Sequence, residues 1–278
     1  MSKPLISTEE YENIISLYNS GLSQAKVGEL YNVRYYIIGK ILRKCGIQGR
    51  DDSHKSRKYT INEKYFDNIN TDNKAYVLGL LWSDGCNYTP SNYMKLELQE
   101  RDKSILDKIS IEINSNKPLK FNNLNEKNPN WQNTYRLEII NKHISKKLEE
   151  LGMVKNKSLV LEFPKWLDVS LYGPFLRGYF DGDGHIQWNK TKFITMASTL
   201  QFCEYTKLFC EKELGINCSI YDTVNKNSNT KIFHICGKEK IKCFLDFIYK
   251  DADLYIERKY NVYQQICAEM NVSNSSSV

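Results

Sequence analysis

With 278 residues, 41% of them hydrophobic and 26% charged, and with only 14 Gly and 6 Pro, the chain has room for about two domains with real cores. That composition excludes collagen-like, low-complexity and wholly disordered readings. No apolar run approaches the roughly 20 residues of a membrane helix, and MSKPLISTEE lacks the apolar core of a secretion signal, so the expectation is an intracellular protein (cytoplasmic, organellar or phage-encoded) that is not secreted. Net charge is +6, from 39 Lys and Arg against 33 Asp and Glu, and residues 1–58 carry +4 of it, with ten basic and six acidic side chains. A concentration of this kind points to a polyanionic partner for the N-terminal segment. The 8 Cys include no CxxC pair and mostly sit in apolar runs, which reads as reduced core thiols.

Thr8 is a candidate cap for a first helix, with Glu9 and Glu10 in the first turn and Ile14, Leu17 and Tyr18 at helical spacing. Asn19-Ser20-Gly21 stops it. Ser23 then caps a second helix, Gln24 to Tyr31, with Val27 and Leu30 inward. A third runs from Arg34 to about Cys45 with an apolar stripe of Ile37, Ile38, Ile41 and Leu42; Arg34, Tyr35, Tyr36, Lys40, Arg43 and Lys44 fall largely on its other side. Three short helices with a basic, aromatic third one describe a helix-turn-helix over residues 1–48, whose last helix can enter a major groove. The pattern is similar to the helix-turn-helix modules of resolvase-like and transposase-like proteins. Residues 49–70 are expected to be a basic linker, without periodicity from Gly49 to Thr60.

The rest of the chain is duplicated. Residues 77–85 read VLGLLWSDG and residues 176–184 read LRGYFDGDG, with the terminal Asp84 and Asp183 lying 99 positions apart. A helix ending in each motif is followed by two strands, a helix, two strands and a closing helix. This order, αββαββα twice, predicts an α+β fold of two halves (71–160 and 161–270) related by a pseudo-twofold axis. Gly79 and Gly178 sit inside the motif helices at a cost of about 1 kcal/mol each relative to Ala, tolerable where two helix backbones approach closely. Gly85 and Gly184 are expected to supply the helix stops. Both Asp side chains then emerge together at the negative ends of two helix dipoles, an arrangement that wants a cation. Few hard oxygen ligands, open to water, suit Mg²⁺, with Mn²⁺ as a substitute, better than zinc. A divalent ion between carboxylates and a phosphodiester is a usual device for hydrolysing that bond.

The two nonapeptides resemble the paired motifs of the LAGLIDADG homing endonucleases in their single-chain form, over roughly residues 70–270. The second motif, FLRGYFDGDGHI preceded by KSLVLEFP, matches closely; the first departs at Trp82 and Ser83 but keeps the final Asp84. The resemblance implies saddle-like antiparallel sheets and a monomer that cleaves both strands of DNA at a long recognition site, with Asp84 and Asp183 binding metal and each serving one strand. It also implies a lysine near the metals late in each half. Lys157 follows Asp84 by 73 positions and Lys259 follows Asp183 by 76; Lys155 and Arg258 compete with them for the role.

DNA would lie on the sheets. Lys95, Glu97 and Gln99 alternate with Met94, Leu96 and Leu98, and Thr134, Arg136 and Glu138 with Tyr135, Leu137 and Ile139. In the second half His185, Gln187 and Asn189 alternate with Ile186 and Trp188, and Ser219 and Tyr221 with Cys218 and Ile220. Amide, hydroxyl and guanidinium groups of this kind suit base edges in the major groove. The 4 His form no zinc spacing, and residues 271–278, NVSNSSSV, are expected to be a disordered tail. The leading expectation is a Mg²⁺-dependent, site-specific DNA endonuclease, intron-encoded or free-standing. The alternative keeps the fold without cleavage, as a DNA-binding regulator or an RNA maturase acting on its own intron RNA.

Overall fold

A computed structural model describes residues 6–47, 58–223 and 229–275, which fall into two units, Met1–Lys58 and Tyr59–Val278. In the first unit the cap is Ser7 rather than Thr8: its side chain accepts from the Glu9 N–H and opens a short 3₁₀ turn, Thr8–Glu10. That turn leads into α1 (Tyr11–Asn19). Ser23 accepts from the Lys26 N–H to start α2 (Gln24–Leu30), and α3 spans Tyr35–Lys44. Ile14, Tyr18, Val27, Ile38, Ile41 and Leu42 close a small core with Ile6. Leu30 is not inward but 64% exposed. The short α2 instead turns Val27 and Gly28 inward, where a Cβ on Gly28 would come within 2.6 Å of the Val33 carbonyl.

The second unit opens earlier than the expected linker boundary at residue 70. Tyr65 and Phe66 are buried and pack edge to face at 4.9 Å, and the Asn62 N–H bonds the Ile113 carbonyl at 2.9 Å. Two large aromatics inside a polar stretch were enough to fold it onto the first half. The rest of the proposed linker, 49–57, lies outside the described residues. The first half then runs α4 (Asp72–Asp84), β1 (Gly85–Tyr88), β2 (Tyr93–Gln99), α5 (Lys103–Glu112), β3 (Lys120–Asn122), β4 (Thr134–Ile140) and α6 (Lys142–Glu150). The second runs α7 (Tyr172–Asp183), β5 (Gly184–Trp188), β6 (Lys192–Thr199), α8 (Leu200–Glu213), β7 (Ser219–Asp222), β8 (Thr230–Cys236) and α9 (Lys238–Tyr249). Both sheets are antiparallel and repeat one order, β1-β2-β4-β3 and β5-β6-β8-β7. The expected α+β fold with two αββαββα halves is the fold observed.

One further helix, α10 (Glu257–Ser275), was not expected. Tyr263, Ile266 and Met270 recur at helical spacing and are buried. The helix continues through residues 271–275, where a disordered tail was expected; residues 276–278 lie outside the described residues. Thiols also depart from expectation: Cys203, Cys210 and Cys218 are buried, whereas Cys45, Cys86 and Cys236 are exposed.

The two motif helices sit at the centre of the second unit. Thr71 caps α4 by accepting from the Lys74 N–H. Residues 75–82 of α4 and 172–181 of α7 are buried without interruption, as befits helices covered on all sides. A Cβ on Gly79 would lie 2.0 Å from the Phe175 carbonyl oxygen, and one on Gly178 would lie 2.0 Å from that of Tyr76. The reciprocal contact means that each glycine admits the other helix's backbone.

Candidate active site

Each motif helix ends in its aspartate and passes directly into the first strand of its sheet. Gly85 (φ −80°, ψ 159°) and Gly184 (φ −87°, ψ 153°) are extended, not left-handed. Glycine is required there for space: a Cβ would meet the carbonyl of Leu81 or Phe180, one turn back, at 2.4 Å. Gly85 and Gly184 do end the two helices, as expected. The chain therefore leaves each helix straight into β1 or β5, with the aspartate at the corner.

The two corners meet. A Cβ on Gly182, next to Asp183, would lie 2.6 Å from Asp84 Oδ2 and 2.0 Å from Ser83 Oγ. Both aspartates are solvent-exposed, while the packed protein beside them partly desolvates their carboxyl groups. Burial, and after it the charge of Asp183, raise the Asp84 carboxyl to about 6, with Lys259, Lys157 and Arg258 opposing. Asp183 is raised by burial, partly offset by Lys157, Lys259 and the Tyr179 hydroxyl. Burial hinders ionisation of both acids, and the charge of Asp183 adds to it at Asp84, so the site stabilises a cation. Among the described residues no three of His, Cys, Asp and Glu cluster to hold a metal. The donor set is thus two carboxylates with room for water or phosphate oxygens, which fits a hard divalent ion that keeps part of its hydration.

The two lysines cap the motif helices. Lys157, in a 3₁₀ turn (Lys157–Leu159), donates from Nζ to the Trp82 and Ser83 carbonyls at 2.5 and 2.6 Å. Lys259, near the start of α10, is buried and donates to the carbonyls of Phe180, Asp181 and Gly184 at 2.5, 2.9 and 2.5 Å. Cations at helix C-termini satisfy orphan carbonyls and oppose the dipole. Burial lowers both ammonium groups, Lys259 to about 8, while the motif carboxylates act in the opposite sense. All three N–H donors of Lys259 are engaged; Lys157 keeps one of three for another acceptor. Of their competitors, Arg258 turns away to clasp the buried Asp102 carboxylate at 3.1 Å. Lys155 lines a cleft with Lys157, Cys86 and Tyr88 beside β1.

Sequence reasoning missed Asp181. Fully buried, it accepts from Tyr76 (2.8 Å), Tyr249 (2.5 Å) and the Ile256 N–H (2.8 Å) just before α10. It thereby ties the start of the helix that carries Lys259 to the motif helix that Lys259 caps. Arg177, stacked 5.2 Å over the Tyr76 ring, holds the Leu254 and Ile248 carbonyls at 2.8 Å. Two ionisable residues within an apolar helix, Arg177 and Asp181, were the available signal.

The outer sheet faces carry the residues expected to meet DNA. Lys95, Glu97, Gln99 and Arg136 are half-buried on the first sheet, and His185, Gln187, Ser219 and Tyr221 occupy the second. Asn189 does not extend β5: its Oδ1 accepts from the Thr191 N–H at 3.3 Å, which makes it a turn residue. In the first unit, Arg34 at the N-cap of α3 and Tyr35, Tyr36, Lys40, Arg43 and Lys44 on the helix are all exposed, with Lys40 over the Tyr36 ring at 5.8 Å.

Residues 170–249, from just before α7 to the end of α9, match the LAGLIDADG-like domain model. The two halves together have the LAGLIDADG fold. A solved structure of the LAGLIDADG homing endonuclease I-GzeII in complex with its DNA target superposes with a TM-score of 0.51 at 12% identity, covering 73% of this chain and 91% of that one. The I-LtrWI homing endonuclease bound to target DNA gives 0.47 at 11% identity, with coverages of 76% and 92%. Full-length DUF199/WhiA from Thermatoga maritima gives 0.46 at 16%, covering 75% of this chain and 65% of that one. No curated protein matches the chain. Among the described residues no helix is long and apolar enough to cross a membrane.

Proposed function

We propose that the chain is a site-specific DNA endonuclease that hydrolyses phosphodiester bonds with divalent metal, Mg²⁺ or Mn²⁺, held by Asp84 and Asp183. The observation that carries this reading is the pair of solvent-open carboxylates brought together at the ends of two close-packed helices, each at the root of a sheet. When bound, the ion would lower the pKa of a water and neutralise charge on the phosphate. Ionised Asp84 and Asp183 hold it; Lys157, with one N–H uncommitted, donates toward a water or phosphate oxygen. Lys259, with no donor to spare, acts as a fixed positive charge beneath the site and keeps the end of α7 in place.

The sheets extend from Asp84 and Asp183 along a duplex, with Lys95, Gln99, Arg136, Gln187, Ser219 and Tyr221 among the groups that face the bases. The exposed basic and aromatic side of α3 adds a second contact in the manner of a helix-turn-helix. Double-stranded DNA is the partner, and the chain acts as a monomer because both halves are in one polypeptide.

The test is cleavage of a random pool of long duplexes with and without Mg²⁺, followed by sequencing of the ends. Cuts at a shared sequence that need metal and vanish with Asp183→Asn support the reading. Salt-sensitive retention of the pool without any cut would overturn hydrolysis and favour a binding protein on the same fold.

A further inference from the structure

The outer faces of the two sheets differ in chemistry. On the first, Glu97 accepts from Thr134 and Asn122 (2.7 Å each) and from Arg136 Nε (3.0 Å), and it pairs with Lys95 at 3.2 Å. Arg136 also reaches Glu138 at 3.2 Å. Burial opposes ionisation of Glu97, but these hydrogen bonds outweigh it and hold the carboxyl down at about 2. The donors are therefore oriented before any ligand arrives.

The second sheet presents no Lys, Arg, Asp or Glu from its outer face among the described residues: Lys192, Asp222 and Lys231 fall on the helix-covered side by alternation. In their place the Phe193 ring lies 6.0 Å from His185 and 5.5 Å from His234, with Tyr221 at 5.3 Å from His234. Ile232 pairs with both Ala197 and Tyr221 in the ladder.

Carboxylates facing a duplex are repelled by its phosphates, and Glu97 offsets this by holding Lys95 and Arg136 in fixed orientations. Arginine and lysine so held donate to guanine O6 and N7. A face without carboxylates or fixed cations, carrying the Phe193 and Tyr221 rings and Ile232 among its polar groups, instead gains by covering thymine methyl groups. We propose that the two sheets read half-sites of opposite composition: Lys95 and Arg136, oriented by Glu97, select G·C pairs under the first half, and Phe193, Tyr221 and Ile232 select thymines under the second. This proposal rests on the DNA-binding reading given above.

The test uses the full chain in EDTA, which permits binding without metal, and selects duplexes from a random library. The expected sites have one G·C-rich half whose preference alone relaxes in Glu97→Gln, and one A·T-rich half. Replacing dT by dU in the A·T-rich half then removes only methyl groups and weakens binding about fourfold for each methyl contacted. The same replacement in the other half leaves binding unchanged. Equal losses in both halves, or none in either, would overturn the proposal while the DNA-binding reading stands. Failure to retain any duplex would end both.

Discussion

At the end of α7, Asp181 is enclosed by Tyr76, Tyr249 and the Ile256 N–H, while the matching position of α4, 99 residues earlier, is Trp82, packed edge to face on Phe175 at 5.2 Å. The indole N–H of Trp82 is buried without a hydrogen-bond partner. Beneath Asp183 the capping lysine comes from a 19-residue helix and uses three carbonyls; beneath Asp84 it comes from a 3-residue turn and uses two. The comparison separates what the site needs from what surrounds it. A carboxylate at the corner, a glycine after it and an ammonium on the helix end recur in both halves. The buried polar cluster does not, so it is one way of fixing a lysine and not part of the chemistry.

Substitutions can break this equivalence at several depths. The largest effect is expected from Asp84→Asn or Asp183→Asn, each lowering cleavage of both strands by roughly a thousandfold or more if charge at the corner is what matters. Strand-resolved gels would check whether a nick survives on one strand. Next, Gly79→Ala and Gly178→Ala push a methyl against the partner helix's carbonyl, with an expected loss of about 3 kcal/mol each in urea unfolding. Similar losses would confirm that the contact is reciprocal.

The lysines sharpen the contrast between the halves. Lys259→Met strands three carbonyls in the interior and should lower stability by about 2–3 kcal/mol, against about 1 kcal/mol for the half-buried Lys157→Met. Turnover on DNA should fall in the reverse order relative to stability, because only Lys157 has a donor to spare. Trp82→Phe removes an unsatisfied N–H and should stay within about 1 kcal/mol of the parent, whereas Asp181→Asn disturbs a fully used acceptor and should lose about 2 kcal/mol.

The smallest effect concerns pH. Asp84 holds its proton up to about 6 in the folded protein, above its ordinary value. Its contribution to metal-free stability is therefore complete below that ordinary value and is lost as pH rises through about 6. Asp84→Asn should accordingly raise the metal-free Tm by about 1–2 °C at pH 8 and leave it unchanged at pH 3.

Much of this was legible in the sequence, because duplication and strand alternation are local signals: the paired nonapeptides and the run from Tyr93 to Gln99 announce their partners and faces. The helix-embedded glycines likewise implied a close crossing. What the sequence hid depends on distant chain segments. Asp181 finds its partners 68 to 105 positions away. The helical stripe of Tyr263, Ile266 and Met270 is interrupted by polar residues and followed by the polar run from Asn271 that read as a tail, and Tyr65 and Phe66 lay inside a polar stretch that read as linker. Gly85 and Gly184 stop the helices as the sequence suggested, but the reason they must be glycine lies in space: both are extended, and a side chain would strike the preceding helical turn.

That the two motif aspartates share one site is tested most directly by ¹³C NMR titration of the Asp84 carboxyl, without metal, in the parent and in Asp183→Asn. The account expects a midpoint near 6 in the parent that falls when Asp183 loses its charge, while staying above the ordinary aspartate range because burial remains. A midpoint that does not move would mean that the two carboxylates do not sense each other, and would contradict the account.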